Sequence, residues 1–235
     1  SLECDTLLSL KAGDYSLERY QAYDKNKVLL ETNKRPKNLD FTIEDNKTTQ
    51  AQQLARWFRL YGREVLITRE PGGTPTAENI RELVLDPALD LSAETETLLQ
   101  LAARADHVAQ AIRPALEAGQ VVLCDRFSDS TLVYQGILRN MDLAQLRKLN
   151  DFATRGLRPD VTLLLDGDPR ELVKRREDRG TVDKFELQGL EFQDRIRAGY
   201  LQLAQEEPDR ILVVDALREP EVVTEEIIRK LEKWV

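Results

Sequence analysis

Cysteine and histidine are scarce in this chain of 235 residues. Its two cysteines, Cys4 and Cys124, lie far apart, so neither belongs to the spacing of a metal or redox site. Cys124 stands inside an apolar run, which predicts a buried packing role. His107 is the single histidine and has no suitably spaced cysteine or carboxylate beside it. We therefore expect His107 to be neither catalytic nor a metal ligand.

An excess of positive charge is also missing, since the formal net charge is −8. A nucleic-acid groove needs a basic stripe that neutralises phosphates, so a nucleic-acid partner is not expected. Small anionic ligands could still bind to local arginines. No apolar run approaches the roughly 20 residues that span a bilayer, and no signal peptide opens the chain. The sequence therefore predicts a cytoplasmic protein without a membrane partner.

Glycine is absent between Gly13 and Gly62, although the sequence in that interval matches part of a phosphate-binding motif. Lys47, Thr48 and Thr49 correspond to the end of a Walker A loop, GxxxxGK followed by Ser or Thr. In that motif the lysine reaches the β and γ phosphates of ATP, and the first hydroxyl binds magnesium. Here both glycines are missing.

The connection before Lys47 is also short, because only two residues separate it from Glu44. An extended chain advances at most ~3.6 Å per residue, so this connection cannot encircle a triphosphate. Two explanations stay open: the loop is deleted from the protein, or the continuous numbering passes over a glycine-rich loop. The second explanation predicts a break in the Cα spacing between Ile43 and Lys47.

Short β-branched runs alternate with helical stretches along most of the chain, which predicts buried parallel strands joined by helices. The predicted strands are Phe41–Ile43, Glu64–Thr68, Val121–Cys124, Val161–Leu165 and Ile211–Val214. The predicted helices lie near Ala51–Tyr61, Ala77–Leu85, Glu94–Glu117, Leu143–Phe152, Arg170–Glu177, Phe185–Glu206 and Glu221–Trp234. The predicted fold class is α/β: a doubly wound five-stranded parallel sheet with helices on both faces. Ligands of such a sheet bind at the carboxyl ends of its strands.

The first 37 residues fall outside this pattern, because they are polar, end in a basic stretch and contain no motif. We interpret residues 1–37 as an N-terminal appendage and residues 38–235 as the nucleotide-binding domain. A surface appendage and a docking segment both remain possible roles for the first part.

Two motifs resemble those of a known enzyme family. Thr68–Thr74 reads TREPGGT directly after the second predicted strand, and Asp125–Gly136 reads DRFSDSTLVYQG directly after the third. Together they resemble the thymidylate kinase family in its bacterial form. The resemblance covers Leu39 to the C-terminus and implies a P-loop NTPase-like fold.

The resemblance assigns one group of residues to the substrate dTMP. Arg69 corresponds to the arginine that binds its monophosphate, and Arg104 to the arginine that contacts thymine and the phosphate region. Gln100 occupies the position where the family usually stacks an aromatic ring on the base, a contact worth ~1–3 kcal/mol. The remaining thymine and sugar contacts correspond to Ser130, Thr131, Tyr134 and Gln135. Tyr134 would fill the space of a ribose 2′-hydroxyl and so favour deoxynucleotides.

A second group is assigned to ATP and catalysis. Asp125 resembles the acid that holds magnesium through water, with Thr48 as the hydroxyl ligand. Arg126 resembles the arginine that clamps the transferring or acceptor phosphate. Residues 174–186 resemble the family's lid, in which arginines close over the ATP phosphates. Arg175 and Arg179, one helical turn apart, are the predicted lid arginines.

The implied reaction is transfer of the ATP γ-phosphate to dTMP, giving dTDP, with Mg²⁺ as cofactor and a homodimer as the usual assembly. The defective phosphate loop keeps an alternative open, a non-catalytic relative that serves as a binding or interaction module. Another deoxynucleoside or nucleotide kinase on the same fold is a third hypothesis, which TREPGGT disfavours and Gln100 leaves open.

Overall fold

The structure, a computed structural model, describes residues 6–10, 21–23, 29–31, 48–172 and 189–231. For residues 6–10, 21–23, 29–31, 48 and 49 it describes the backbone alone. Several predictions lie outside the described residues: the strand Phe41–Ile43, the spacing from Ile43 to Lys47, Lys47 itself, and the lid with Arg175 and Arg179. These remain predictions.

Seven strands and eight helices are described. The strands are β1 (Thr6–Leu10), β2 (Gln21–Tyr23), β3 (Leu29–Glu31), β4 (Val65–Arg69), β5 (Val121–Asp125), β6 (Val161–Asp166) and β7 (Ile211–Asp215). The helices are α1 (Thr48–Leu60), α2 (Pro75–Leu85), α3 (Ala93–His107), α4 (Arg113–Glu117), α5 (Ser128–Thr131), α6 (Leu143–Thr154), α7 (Gly189–Glu206) and α8 (Pro220–Leu231). Two π-helical segments, Val108–Ile112 and Leu132–Ile137, continue α3 and α5.

The main sheet has the order β4-β5-β1-β6-β7. The pairs β4 with β5 and β6 with β7 are parallel, whereas β1 runs antiparallel to both of its neighbours, β5 and β6. The α/β class is confirmed, but the all-parallel sheet is wrong. β2 and β3 form a separate antiparallel pair.

The strand at the centre of this sheet comes from the segment predicted to lie outside it. β1 carries the short apolar run TLLSL, in which neither strand alternation nor helical spacing is distinct enough to identify the element. An antiparallel strand satisfies the backbone groups between β5 and β6 as well as a parallel one does. The sequence pattern therefore identified β4, β5, β6 and β7 as strands, but it identified neither β1 nor the edges along which the strands pair.

Helices cover both faces of the sheet, as predicted. On β5, Val121 and Leu123 point into the core beneath α1 and α8. Val122 and Cys124 point to the opposite face, beneath the α3–α4 region, because alternate residues of a strand face opposite sides. Cys124 is fully buried, so its predicted packing role is confirmed. None of the described helices is long and apolar enough to cross a membrane.

Candidate active site

The turn after β4 brings the TREPGGT motif against the end of β5. The backbone amide of Glu70 donates to the carbonyl of Asp125 at 2.7 Å, and the strand register sets Arg69 directly beside Asp125. Gly73 has a φ of 85°, which favours glycine. A Cβ atom at Gly73 would lie 2.4 Å from Nε2 of His107. The glycine is therefore required by its close contact as well as by its backbone conformation.

Glu70 lies at the centre of a buried polar network that the sequence did not predict. Its Oε2 accepts a hydrogen bond of 2.6 Å from Nε of Arg104, and its Oε1 lies 3.1 Å from Nδ1 of His107. Nε2 of His107 lies 2.7 Å from the hydroxyl of Thr68. Both ring nitrogens of the buried histidine thus have protein partners. His107 orders the TREPGGT turn, and the sequence offered no signal beyond its being the only histidine.

Arg104 is fixed by protein acceptors on several elements. Besides Glu70, it donates to Oγ1 of Thr131 at 2.7 Å, to Oδ1 of Asn150 at 2.6 Å and to the carbonyl of Phe127 at 3.1 Å. These bonds take four of the five N–H groups of a guanidinium that is only 3% exposed. Arg104 therefore joins the two family motifs to each other and to α6. Its contact with thymine remains a prediction.

The side chain of Arg69 is half-buried, at the carboxyl end of β4. Nη2 donates to Oε2 of Glu78 at 2.8 Å, while Oε1 of Glu78 accepts from the amide of Gly73. Glu78 in the first turn of α2 thus holds both the arginine and the glycine turn. Nε of Arg69 is buried and has no hydrogen-bond acceptor among the described residues. The guanidinium retains donor capacity for an anionic ligand.

β5 ends in Asp125 and is followed by Arg126, whose backbone adopts a left-handed conformation with φ 64°. This conformation is uncommon for a residue with a Cβ atom, and such strain concentrates at functional sites. The guanidinium of Arg126 donates to the hydroxyl of Tyr134 at 2.8 Å and lies 5.2 Å from the centre of its ring. The two residues predicted to face the phosphate and the sugar are therefore in direct contact.

The residues between Arg126 and Tyr134 form hydrogen bonds with other elements of the fold. Asp129 accepts two hydrogen bonds from Arg210, at 2.7 and 2.9 Å, and a third from Thr162. Burial alone would lower the pKa of Arg210, but the charges and hydrogen bonds of Asp129 and Glu207 outweigh that effect and raise the pKa above its ordinary value. Asp129 and Glu207 therefore favour the charged form of this arginine.

Ser130 and Thr131 have protein partners as well. The hydroxyl of Tyr200 on α7 donates to Oγ of Ser130 at 2.9 Å, and Thr131 accepts from Arg104. Asp129 and Ser130 are thus held from the side of α7, β6 and β7, whereas Thr131 is held from α3. Their predicted substrate contacts are not tested by these bonds and remain predictions.

Gln100 and Gln135 meet at a common carboxylate. Nε2 of Gln135 donates to Oε1 of Glu96 at 3.0 Å, and Nε2 of Gln100 lies 3.4 Å from the same oxygen. Arg139 donates to the second oxygen of Glu96 at 2.7 Å. Glu96 was not singled out from the sequence, because a glutamate in the first turn of a helix is usually a surface residue.

The described geometry defines a class of protein before any comparison is made. An α/β sheet presents an aspartate and two arginines at the carboxyl edge of two adjacent parallel strands, Asp125, Arg69 and Arg126. Guanidinium groups and a carboxylate in this place suit a phosphorylated ligand and its metal ion. This arrangement is that of a nucleotide-binding α/β protein of the P-loop NTPase type.

Comparisons with known proteins agree with this class and make it specific. The family model described as thymidylate kinase matches residues 47–227. The chain is 46% identical over 181 residues to a thymidylate kinase of Deinococcus radiodurans, covering 77% of this chain and 88% of that protein. It is 48% identical over 171 residues to a thymidylate kinase of Pseudomonas fluorescens, covering 72% and 81%.

A solved structure shows the same relationship. The crystal structure of thymidylate kinase from Ehrlichia chaffeensis matches with a TM-score of 0.64 and 32% identity, covering 82% of this chain and 95% of that one. The chain belongs to the thymidylate kinase family. The resemblance read from TREPGGT and DRFSDSTLVYQG is confirmed. The family match begins at Lys47, so residues 1–46 lie outside it.

Proposed function

We propose that this protein is a nucleoside monophosphate kinase that transfers the γ-phosphate of ATP to dTMP, giving dTDP. The observation that carries the proposal is the placement of Arg69, Asp125 and Arg126 at one edge of the sheet, with Tyr134 against Arg126. The family membership and the names of the relatives support it. None of the comparisons supports the non-catalytic alternative.

Phosphoryl transfer leaves the protein little covalent chemistry, so its residues act by positioning and by charge. Arg69 would hold the phosphate of dTMP, because its guanidinium has an unused buried donor. Arg126 would stabilise the charge on the transferring phosphoryl group, since its strained backbone fixes the direction of the side chain. Tyr134 would fix Arg126 and exclude a ribose 2′-hydroxyl.

Magnesium fits this residue set. Mg²⁺ takes oxygen ligands and keeps several waters, and Asp125 supplies a carboxylate at the strand terminus. Asp125 and the hydroxyl of Thr48 would hold the ion, which would neutralise charge on the phosphates of ATP. Lys47 and Thr49 on the ATP side, the lid residues 174–186 with Arg175 and Arg179, and a cytoplasmic homodimer belong to the same proposal.

The test is product formation by the full chain. The protein would be incubated with ATP, dTMP and MgCl₂, with dTDP measured by anion-exchange chromatography and ADP by a coupled assay. We expect dTDP and ADP in equal amounts, and neither when dTMP is omitted. A parallel reaction with dUMP measures the preference for the methylated base. Binding of dTMP without any dTDP would contradict the proposal and favour the binding-module alternative.

A further inference from the structure

The side-chain amide of Gln135 is fully buried. Its NH₂ group has a hydrogen-bond partner, whereas its carbonyl oxygen has none among the described residues. Gln135 lies on the π-helical segment Leu132–Ile137, and its side chain is closed off from solvent. Nε2 donates to Oε1 of Glu96 at 3.0 Å. Within the described part of the chain, no donor lies within hydrogen-bonding distance of Oε1 of Gln135. Buried acceptors are rarely left in this state unless a ligand or another group completes them.

Glu96 determines which atom of the Gln135 amide has no hydrogen-bond partner among the described residues. A carboxylate can only accept hydrogen bonds, so the end of Gln135 that faces it must be the NH₂ group. Arg139 donates to the other oxygen of Glu96 at 2.7 Å, which holds the carboxylate in place. The carbonyl oxygen of Gln135 is consequently directed away from Glu96, as a preset acceptor.

A preset acceptor distinguishes pyrimidine bases by their N3 position. Thymine and uracil carry a hydrogen on N3 and donate there, whereas N3 of cytosine is an acceptor. An acceptor facing an acceptor leaves both buried groups without a hydrogen bond, and a mismatch of that kind gives strong discrimination. Thr131 and Tyr134, on the same stretch of chain, are the residues proposed to face the nucleoside.

We propose that Glu96 is a positioning residue: it orients the carboxamide of Gln135 so that Oε1 accepts from N3–H of the base, selecting imide pyrimidines over cytosine. The inference rests on the proposed function, because it concerns the acceptor nucleotide of that reaction. It adds a residue that is not proposed to touch the substrate and that acts through Gln135.

The test compares the affinities of Glu96→Gln and the unaltered protein for dTMP and dCMP, measured by calorimetry without ATP. A glutamine at position 96 can offer either a donor or an acceptor, so the amide of Gln135 is free to turn. We expect the preference for dTMP over dCMP to fall about tenfold. Because both ligands titrate the same sample, this ratio does not depend on the folded fraction.

A double-mutant cycle isolates the route through Gln135. In a Gln135→Leu background the amide is gone, so Glu96→Gln should leave the dTMP/dCMP ratio unchanged. Glu206→Gln is the matched control. Glu206 also accepts from a glutamine, Gln202, and an arginine, Arg147, but on the exposed end of α7. That control should leave the ratio unchanged.

The outcomes separate the two proposals. An unchanged ratio in Glu96→Gln, with dTMP still bound, overturns the role of Glu96 and leaves the kinase function standing. A change of equal size in the Gln135→Leu background overturns the route through Gln135. Absence of dTMP binding by the unaltered protein overturns the proposed function and this inference together.

Discussion

The acceptor side and the donor side of the proposed site are built in different ways. On the acceptor side, Arg104 and Glu70 join β4, α3, α5 and α6 through short buried hydrogen bonds. On the donor side, the phosphate contacts of a Walker A loop come from backbone amides and depend on glycines that this sequence lacks. The side-chain network is recognised from contacts in the structure, whereas a backbone phosphate loop depends on loop length and on glycine.

The family match excludes the part of the chain that precedes Lys47. The match begins at Lys47 and runs through every described residue proposed for dTMP. The central strand β1 lies before it and is antiparallel to its neighbours. We expect the donor side, where the connection before Lys47 is short and lacks glycine, to limit the rate of phosphoryl transfer. The following experiments test this difference between the acceptor side and the donor side, beginning with the largest expected effect.

Rebuilding the phosphate loop should have the largest effect. Replacing Asp45 and Asn46 by a GxxxxG sequence before Lys47 restores several amides that can face the phosphates. Removal of a single such donor in other enzymes costs ~2.7–4 kcal/mol. We expect kcat/KM for ATP to rise at least about 10³-fold, with the affinity for dTMP unchanged. A loop of the same length made of serine and alanine is the control, and an equal gain from it would remove the argument about glycine.

Arg104→Met should have the largest effect on stability. The change leaves the carboxylate of Glu70 buried beside His107 without its charged partner, which costs about 3 kcal/mol of unfolding free energy. Urea unfolding followed by circular dichroism measures it. Arg147→Met, which breaks an exposed pair with Glu206, should change the unfolding free energy by less than about 1 kcal/mol. Equal losses in the two variants would refute a structural role for the buried network.

Arg126→Met should reduce kcat about 10²-fold, because a positioned charge facing the transferring phosphoryl group is lost. The expected change in the affinity for dTMP is smaller, since Arg69 still holds the acceptor phosphate. Steady-state kinetics with varied dTMP, together with calorimetry, separates the two quantities. A variant that loses affinity for dTMP and keeps kcat would assign Arg126 to binding instead.

Gln100→Phe should have the smallest effect and the opposite sign. An aromatic ring at this position can stack on the base, which contributes ~1–3 kcal/mol in other nucleotide sites. We expect the dissociation constant for dTMP to fall about tenfold. Gln202→Phe places the same ring on the exposed face of α7 and should have no effect. No gain from Gln100→Phe would show that thymine does not lie against this helix position.

Much of the fold followed from local patterns. Short β-branched apolar runs placed β5 and β6 correctly, and both strands are buried along almost their whole length. Apolar residues spaced three to four positions apart located the helices. The helix predicted over Glu94–Glu117 is present, divided by a π-helical segment. The direction and origin of the central strand could not be read from the pattern, because pairing depends on which sheet edges remain open.

Some residues of the candidate site could be predicted from the sequence and others could not. Arg69, Asp125 and Arg126 could be predicted from motifs, because they lie at the carboxyl ends of strands, where ligands of an α/β sheet bind. Glu96, His107 and Glu70 could not, because their importance comes from partners distant in the chain: Gln135 for Glu96, Thr68 for His107 and Arg104 for Glu70.

Residue types at fixed spacings in the sequence were sufficient to identify the family and the α/β class, and they also gave the residues proposed to bind the acceptor. The tertiary structure was needed to show that Arg104 donates to four acceptors, that Gln135 donates to Glu96, and that the central strand of the sheet is antiparallel to its neighbours. The physical reason is that hydrogen-bond partners and strand neighbours are selected across long sequence separations, where local patterns carry no information.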